Sequence, residues 1–405
     1  GFIMLGGFLI AAALALPLVM SLLLAVAQRY AKGPVPEWFW ADTRQQLPGL
    51  SLALMALLLA LAANIGVGTM VSSFRQTFTG WLDQRLASEL YVTARSEEEA
   101  TRLRAFLETR TDAILPIWRT EGRIAGNPAE IYGVADHATY RENWPMLEAM
   151  PDVWDIVARG EGVLINEQLS YRDGMAPGDK VVLPGGWTAQ VAGVYSDYGN
   201  SKVQVLVGID RFTSLFPDAP RLRYGVRIAP ADVERLMENL VQDFGLPETA
   251  MVDQATIKAA SMRIFERTFS VTAALNVLPL GGAGFAMLTS LLTLSAMRLP
   301  QLAPVWALGL TRSRLAQLEF LRAGLLGTLT AVLSVPVGLG LAWVLLNVVN
   351  VEAFGWRLPM FLFPMDWLIL GALAVLAALL AAFYPVRRLA KTRPSQLLKI
   401  FADER

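Results

Sequence analysis

Residues 50–85 read LSLALMALLLALAANIGVGTMVSSFRQTFTGWLDQR, and the join inside this stretch decides the fold. Its first part, 50–72, holds no charged residue and is long enough to cross the hydrocarbon core of a bilayer, which takes about 20 mostly apolar residues. Beyond it, Phe74, Phe78, Trp81 and Leu82 keep the helical period while Arg75, Asp83 and Arg85 enter between them. The pattern predicts one helix that leaves the membrane and continues into water. The return is similar: Asp253 is placed to cap a helix carrying Ile257, Met262, Ile264, Phe265 and Phe269. Neither Gly nor Pro interrupts residues 253–278, which as one helix would run about 39 Å. Two uninterrupted stalks are therefore expected between a membrane part and an outer domain, either as simple anchors or as a mechanical linkage.

Working outward, four more stretches reach spanning length: 2–27, 269–297, 318–349 and 367–384. None has the flanks of a cleaved signal peptide. The chain is 54% apolar and only 17% charged, with mean hydropathy +0.42, where a soluble domain carries about 25% charged residues. Its formal net charge of zero hides a division. Residues 74–268 hold 21 Lys and Arg against 28 Asp and Glu, whereas the remainder holds 14 against 7. An acidic water-soluble domain is thus inserted into a basic-flanked membrane protein. That excludes a wholly soluble enzyme, a disordered chain and a nucleic-acid binder with a basic surface. Lys and Arg also set orientation. Arg29, Lys32 and Arg44 follow the first span, Arg298, Arg312 and Arg314 the third, and Arg387, Arg388, Lys391 and Arg393 the last, whereas the loop after the fourth span carries Arg357 alone. The basic segments are expected on the cytoplasmic side, which puts residues 74–268 outside.

Chemistry is poorly served by this composition. Cysteine is absent and histidine occurs once, as His137, so neither a thiolate site nor a His-built zinc site is available. His137 reads as an exposed loop residue beside Asp136. No G-x-x-x-x-G-K-[ST] occurs, and the Gly282/Gly284 run reads as close helix packing in lipid. No metal, cofactor or catalytic group is expected in this chain.

Within 74–268 a capping box at Ser96–Glu99 opens a helix through about Thr109, and a second helix runs from about Pro230 to Phe244, stopped by Gly245. Strands are predicted at 130–135, 162–166, 180–183, 188–195, 202–208 and 224–228. Trp154, Trp187, Tyr195 and Tyr198 are candidate periplasmic contact residues, with filling of the domain's own core or rim as the other reading.

Residues 297–324, MRLPQLAPVWALGLTRSRLAQLEFLRAG, are too polar to stay in lipid and too apolar for a plain loop. Trp306, Ala307, Leu308 and Leu310 form an apolar ridge between Arg298 and Arg312/Arg314. Composition leaves open a partner surface or a short interfacial helix on lipid headgroups.

This segment resembles the one after the second membrane helix of FtsX-like ABC transporter permeases. The ending AAFYPVRRLAKTRPSQLLK (381–399) resembles that family's last span and the signature after it. GEGVLINEQLSYRDGMAPGDKVVL (160–183) followed by AQVAGVYSDYG (189–199) is similar to the MacB-type periplasmic domain. Residues 42–78 and NVEAFGWRLPM (350–360) resemble tandem permeases of the YbbP-like branch, so the chain reads as the C-terminal half of one, with its first span a linking helix. The resemblance implies an α-helical membrane protein of about five transmembrane helices with an inserted α+β periplasmic domain on helical stalks. The expected division is 1–28 linking helix, 29–48 cytoplasmic, 49–73 span, 74–268 periplasmic domain with stalks, 269–297 span, 298–317 cytoplasmic coupling segment, 318–349 span, 350–366 periplasmic loop, 367–386 span and 387–405 cytoplasmic tail.

It also implies a coupling helix that docks on a separate cytoplasmic ATPase, two copies of it, which carries the ATP and magnesium. Val305, Trp306, Ala307, Leu308, Gly309, Arg312 and Arg314 match that position. Pro300 and Pro304 depart from the family's unbroken helix, so the coupling helix is expected to start near Val305. The implied setting is the bacterial inner membrane. The implied work is mechanotransmission, extracting or exporting a lipid, lipoprotein or other hydrophobic molecule. The alternative is a non-transporting signalling subunit that activates a periplasmic enzyme or partner.

Overall fold

The computed structural model describes residues 1–198, 200, 202–307 and 309–391, the side chains of 268, 270–277, 295–307 and 388–391 excepted. The chain divides into two compact units. One comprises Gly1–Ser73, Phe269–Val349 and Met360–Arg405, and the other Phe74–Thr268 and Asn350–Pro359.

The first unit is helical. Among the described residues four helices are long and apolar enough to cross a membrane: Phe2–Tyr30, Pro34–Arg85, Arg312–Phe354 and Pro364–Arg387. The remaining expected span, 269–297, lies inside helix Gln254–Ala307, and its described apolar part is Leu278–Leu294. Leu16, Met20 and Leu24 of the first helix pack with Leu50, Leu54, Met287, Leu326 and Ala378, all essentially buried. Small residues let backbones close up, as is usual for helices packed in lipid. A Cβ on Gly338 would stand 2.6 Å from that of Ile65 and 3.0 Å from the Ala62 carbonyl oxygen.

Residues 34–48, within the segment expected on the cytoplasmic side, form the first turns of helix Pro34–Arg85, with Pro48 inside it. Pro300 and Pro304 do not end the preceding helix either, which runs on to Ala307. A proline inside a helix removes one backbone hydrogen bond and kinks the rod, but flanking turns can carry the helix through. The stop comes at Gly309, whose φ of +104° is the left-handed backbone that ends helices.

Among the described residues the second unit holds eleven strands: β1 (Leu90–Thr93), β2 (Ala113–Pro116), β3 (Trp118–Ile124), β4 (Asn127–Val134), β5 (Met146–Ala149), β6 (Gly162–Asn166), β7 (Lys180–Val182), β8 (Thr188–Tyr195), β9 (Val203–Gly208), β10 (Arg223–Arg227) and β11 (Met251–Asp253). They form an antiparallel four-stranded sheet, β11-β1-β10-β2, and a mixed seven-stranded sheet, β3-β4-β9-β6-β8-β5 with β7 beside β8. The mixed sheet contains parallel pairs β4/β9 and β6/β8, and β6 and β9 are buried at every position. Continuous burial of VLI and VQVLV explains why these strands read as apolar runs rather than alternating ones.

Helix Glu97–Glu108 starts as its sequence requires: the Ser96 side chain accepts from the Glu99 N–H. The Glu99 carboxylate reaches back to the Arg95 N–H, one residue before the cap. The helix from Pro230 is a 3-10 turn, then Val233–Asn239, then a π turn Leu240–Phe244, and Gly245 at φ +81° ends it. Asp253 caps the returning helix, accepting from the Thr256 N–H at 3.2 Å.

Candidate functional site

Leu308 lies outside the described residues, as do the side chains of Val305, Trp306 and Ala307; the backbone of those three closes helix Gln254–Ala307. After the turn at Gly309, the Thr311 hydroxyl caps helix Arg312–Val344, accepting from the Arg314 N–H at 3.3 Å. Arg312 and Arg314 thus occupy the first turn of a helix that has no acid there. Cations belong at the other end of a helix dipole, and at an N-terminus each costs about 0.3–1 kcal/mol at low salt. Leu315 and Ala316, next along, are buried.

Two turns further on, Arg322 is only 2% exposed, the largest fully buried side chain described. Its Nη1 donates to Glu319 Oε1 at 2.8 Å, an i,i+3 pair on one helix face. Its Nη2 donates to Asp42 and its Nε to Thr43 Oγ1 at 2.9 Å. The Phe39 ring lies 5.5 Å from the guanidinium. Thr43 in turn donates to the Phe39 carbonyl at 2.6 Å, and Gln46 donates to Asp42 at 2.8 Å. The beginning of helix Arg312–Val344 is therefore clamped to helix Pro34–Arg85 by a buried polar cluster. Asp42 and Thr43 have no sequence signal linking them to Arg322, 280 and 279 positions away.

In the outer unit three of the four aromatic candidates are interior: Trp154, Tyr195 and Tyr198 are 7%, 0% and 6% exposed and fill the domain, where large aromatics stabilise most with both faces covered. Trp187 is half-buried against the main core, with the Arg211 guanidinium 4.7 Å from its ring. His137 is also not a plain loop residue: its Nδ1 accepts from the Thr139 N–H and caps helix Ala138–Asn143.

The run Asn166-Glu167-Gln168, almost wholly buried, has a structural explanation. Asn166 caps helix Glu167–Asp173 and donates to the Lys202 carbonyl at 2.9 Å. Gln168 donates to the carbonyls of Asp197 and Asn200, at 2.6 and 2.7 Å. Glu167 accepts from the backbone N–H of Asp197 at 3.3 Å and from that of Arg357 at 3.1 Å. Residues 350–359, expected as part of a separate loop, therefore belong to the outer unit. Trp356 and Leu358 are buried in it, and Gly355 sits 3.4 Å from the Gln168 backbone, measured from an added Cβ. The helix entering the domain is held nearby, since the Trp81 indole N–H donates to the Ser196 carbonyl at 3.0 Å.

Burial pushes the Glu167 carboxyl up from its usual 4.5 to about 8, against the pull of the two N–H donors, and burial also raises Asp197 beside it. The sign follows. Below pH 4.5 the folded and unfolded chains both hold the Glu167 proton. Between there and about pH 8 the unfolded chain has lost it while the folded one keeps it, so stability falls as pH rises. The thermal midpoint of the outer unit should accordingly drop from pH 5 to pH 8, and Glu167→Gln should flatten that slope. The variant should also lose about 1 kcal/mol, because an amide replaces one acceptor oxygen with a donor. Parallel pH curves for the two proteins would remove Glu167 as the cause.

An apolar helical unit into which a soluble mixed-sheet domain is inserted between two helices defines a membrane protein with one large outer domain. The MacB-like periplasmic core domain matches residues 50–243 and the FtsX-like permease C-terminal domain residues 273–394. Among curated proteins, the ABC transporter permease protein Rv0987 of Mycobacterium tuberculosis is 29% identical over 413 residues, covering 95% of this chain and 48% of that protein. The chain thus spans about half the length of the curated relative it matches. The periplasmic region of MacB from Actinobacillus actinomycetemcomitans aligns at 14% identity over 44% of this chain and 92% of that one, with a TM-score of 0.31. The extracellular domain of the ABC-type transporter YknZ from Gram-positive bacteria aligns at 12% identity over 41% and 98%, again with a TM-score of 0.31. The chain is similar to FtsX/MacB-type ABC transporter permeases, with the MacB-like match preceding the FtsX-like one along it.

Proposed function

We propose that this chain is a membrane arm through which a cytoplasmic ABC ATPase moves the periplasmic domain. The ATPase, in two copies, binds ATP and magnesium and docks on residues 298–317 at the inner face of the bacterial inner membrane. Val305, Trp306, Ala307 and Leu308 supply the apolar contact, Gly309 the turn, and Arg312 and Arg314 the charge. The observation that carries this reading is the pair of arginines on the wrong end of a capped helix. Two cations on the first turn of that helix, beside the turn at Gly309, suit contact with an acidic surface of the ATPase. The Arg322 cluster gives the push a stiff path into helix Pro34–Arg85, and helix Gln254–Ala307 offers a second. A polar solute pathway is disfavoured, so the cargo is a lipid, lipoprotein or other hydrophobic molecule taken from the outer leaflet or periplasm.

The absence of cysteine makes the test direct. Spin labels on cysteines at the exposed positions Gln76 and Arg263 report the spacing of the two stalks in the assembled complex. Their distance distribution should change between ATP-bound and nucleotide-free states. A distribution unaltered by nucleotide, in a complex that hydrolyses ATP, would refute mechanotransmission.

A further inference from the structure

A cavity of about 250 Å³ lies inside the outer unit, where helix Pro34–Arg85 ends against the two sheets. Its wall includes the rings of Trp81, Tyr91, Tyr140 and Trp144 and the guanidinium groups of Arg85 and Arg223, and no carboxylate lines it. Two cations at one hollow are unexpected in a domain that carries 28 acids against 21 bases. Some arginines of the domain pair with carboxylates, Arg227 with Glu89 and Arg141 with Asp136 and Asp155, while others rest on rings or carbonyls, as Arg211 does over Trp187 and Arg123 on the Gly126 carbonyl. Among the described residues Arg85 instead donates to the neutral Gln204 amide at 3.3 Å and stacks 4.4 Å from the Trp144 ring centre. Arg223 stands 6.0 Å over Tyr91. Trp144 adds a second signal, since its indole N–H is buried with no acceptor among the described residues. A buried donor left unpaired costs about 1–3 kcal/mol, so the hollow is short of acceptors as well as of negative charge.

We propose that this cavity is a binding site for a small organic anion with a flat apolar body. The carboxylate or equivalent group sits between the arginine side and the Trp144 N–H, and the body slides between the aromatic rings. The volume is just under the usual range of about 300–1,000 Å³ for drug-sized ligands, which limits the body to one or two fused rings. An alcohol or amine of the same shape leaves the cations unanswered. The site stands apart from the transport reading and depends only on the outer unit.

Naphthoate is a suitable probe, with naphthylmethanol and naphthylmethylamine as neutral and cationic counterparts. Heats of binding are measured on the full chain in detergent, against detergent alone. Naphthoate should bind one equivalent per chain, at least about tenfold tighter than the alcohol, and the amine should not bind. Arg223→Gln, at an exposed position, should weaken naphthoate about tenfold while leaving the thermal midpoint unchanged. Trp144→Phe, which keeps the ring and removes the N–H, should weaken it severalfold. No heat at millimolar naphthoate, equal binding of acid and amine, or unchanged affinity in Arg223→Gln would each overturn the proposal.

Discussion

Arg322→Met should destabilise the membrane unit by about 3–5 kcal/mol, the largest loss expected from any single substitution in it. The side chain is 2% exposed and donates to Glu319, Asp42 and Thr43. Removing it leaves the Asp42 and Glu319 carboxylates, 16% and 17% exposed at the side chain, without their shared counter-charge. The loss comes mainly from those stranded charges, not from the missing bonds. Adding Asp42→Asn and Glu319→Gln to Arg322→Met should therefore recover much of the stability. Unfolding in a detergent series, followed by tryptophan fluorescence, separates the cases. A single variant within 1 kcal/mol of wild type would show the cluster to be dispensable for folding, given that intact buried pairs often contribute little net stability.

The second large effect is functional. Leu308→Asp places a charge in the apolar ridge between Trp306 and Leu310, where the ATPase is proposed to dock. A carboxylate desolvated without a partner is costly enough to abolish a modest interface, so the expected outcome is loss of stable ATPase binding and at least a hundredfold loss of coupled hydrolysis. Membrane insertion should be unaffected, because the position lies between apolar spans. Arg312→Glu with Arg314→Glu should weaken the same association through charge and should be sensitive to salt, whereas Leu308→Asp should not be.

What the sequence disclosed follows from the range of the interactions involved. The membrane spans, the acidic insert, the Ser96 and Asp253 caps and the strands at 162–166 and 188–195 depend on composition or on neighbours within a turn or two. The short strands β1, β2, β5 and β11 hold only three or four residues each, too few for a period to show, and β3 is WRTEGRI, whose charges alternate but whose opposite face has only Thr120 and Gly122 between Trp118 and Ile124, so its apolar half is weak. Pro300 and Pro304 point to a helix starting near Val305, but a proline alone does not end a helix, and the left-handed turn at Gly309 does. Glu319 and Arg322 stand three apart on one helix, a spacing visible in the sequence, whereas Asp42 and Thr43 join them only through the packing of two helices. The bond from Arg357 to Glu167 crosses 190 positions, so residues 350–359 could not be assigned to the outer unit from their own letters. The aromatic candidates show a different limit. Trp154, Tyr195 and Tyr198 have the composition of a contact surface and the burial of a core, and residue type does not distinguish the two.

The most direct measurement is an affinity purification of the chain, in mild detergent, co-expressed with the products of its neighbouring genes. A cytoplasmic ATPase should co-elute in stoichiometric amount from the wild type and be missing from Leu308→Asp, with equal membrane yield of both. Absence of any ATPase from the wild type under conditions that preserve the complex, or its undiminished recovery with the variant, would contradict the coupling role assigned to residues 298–317.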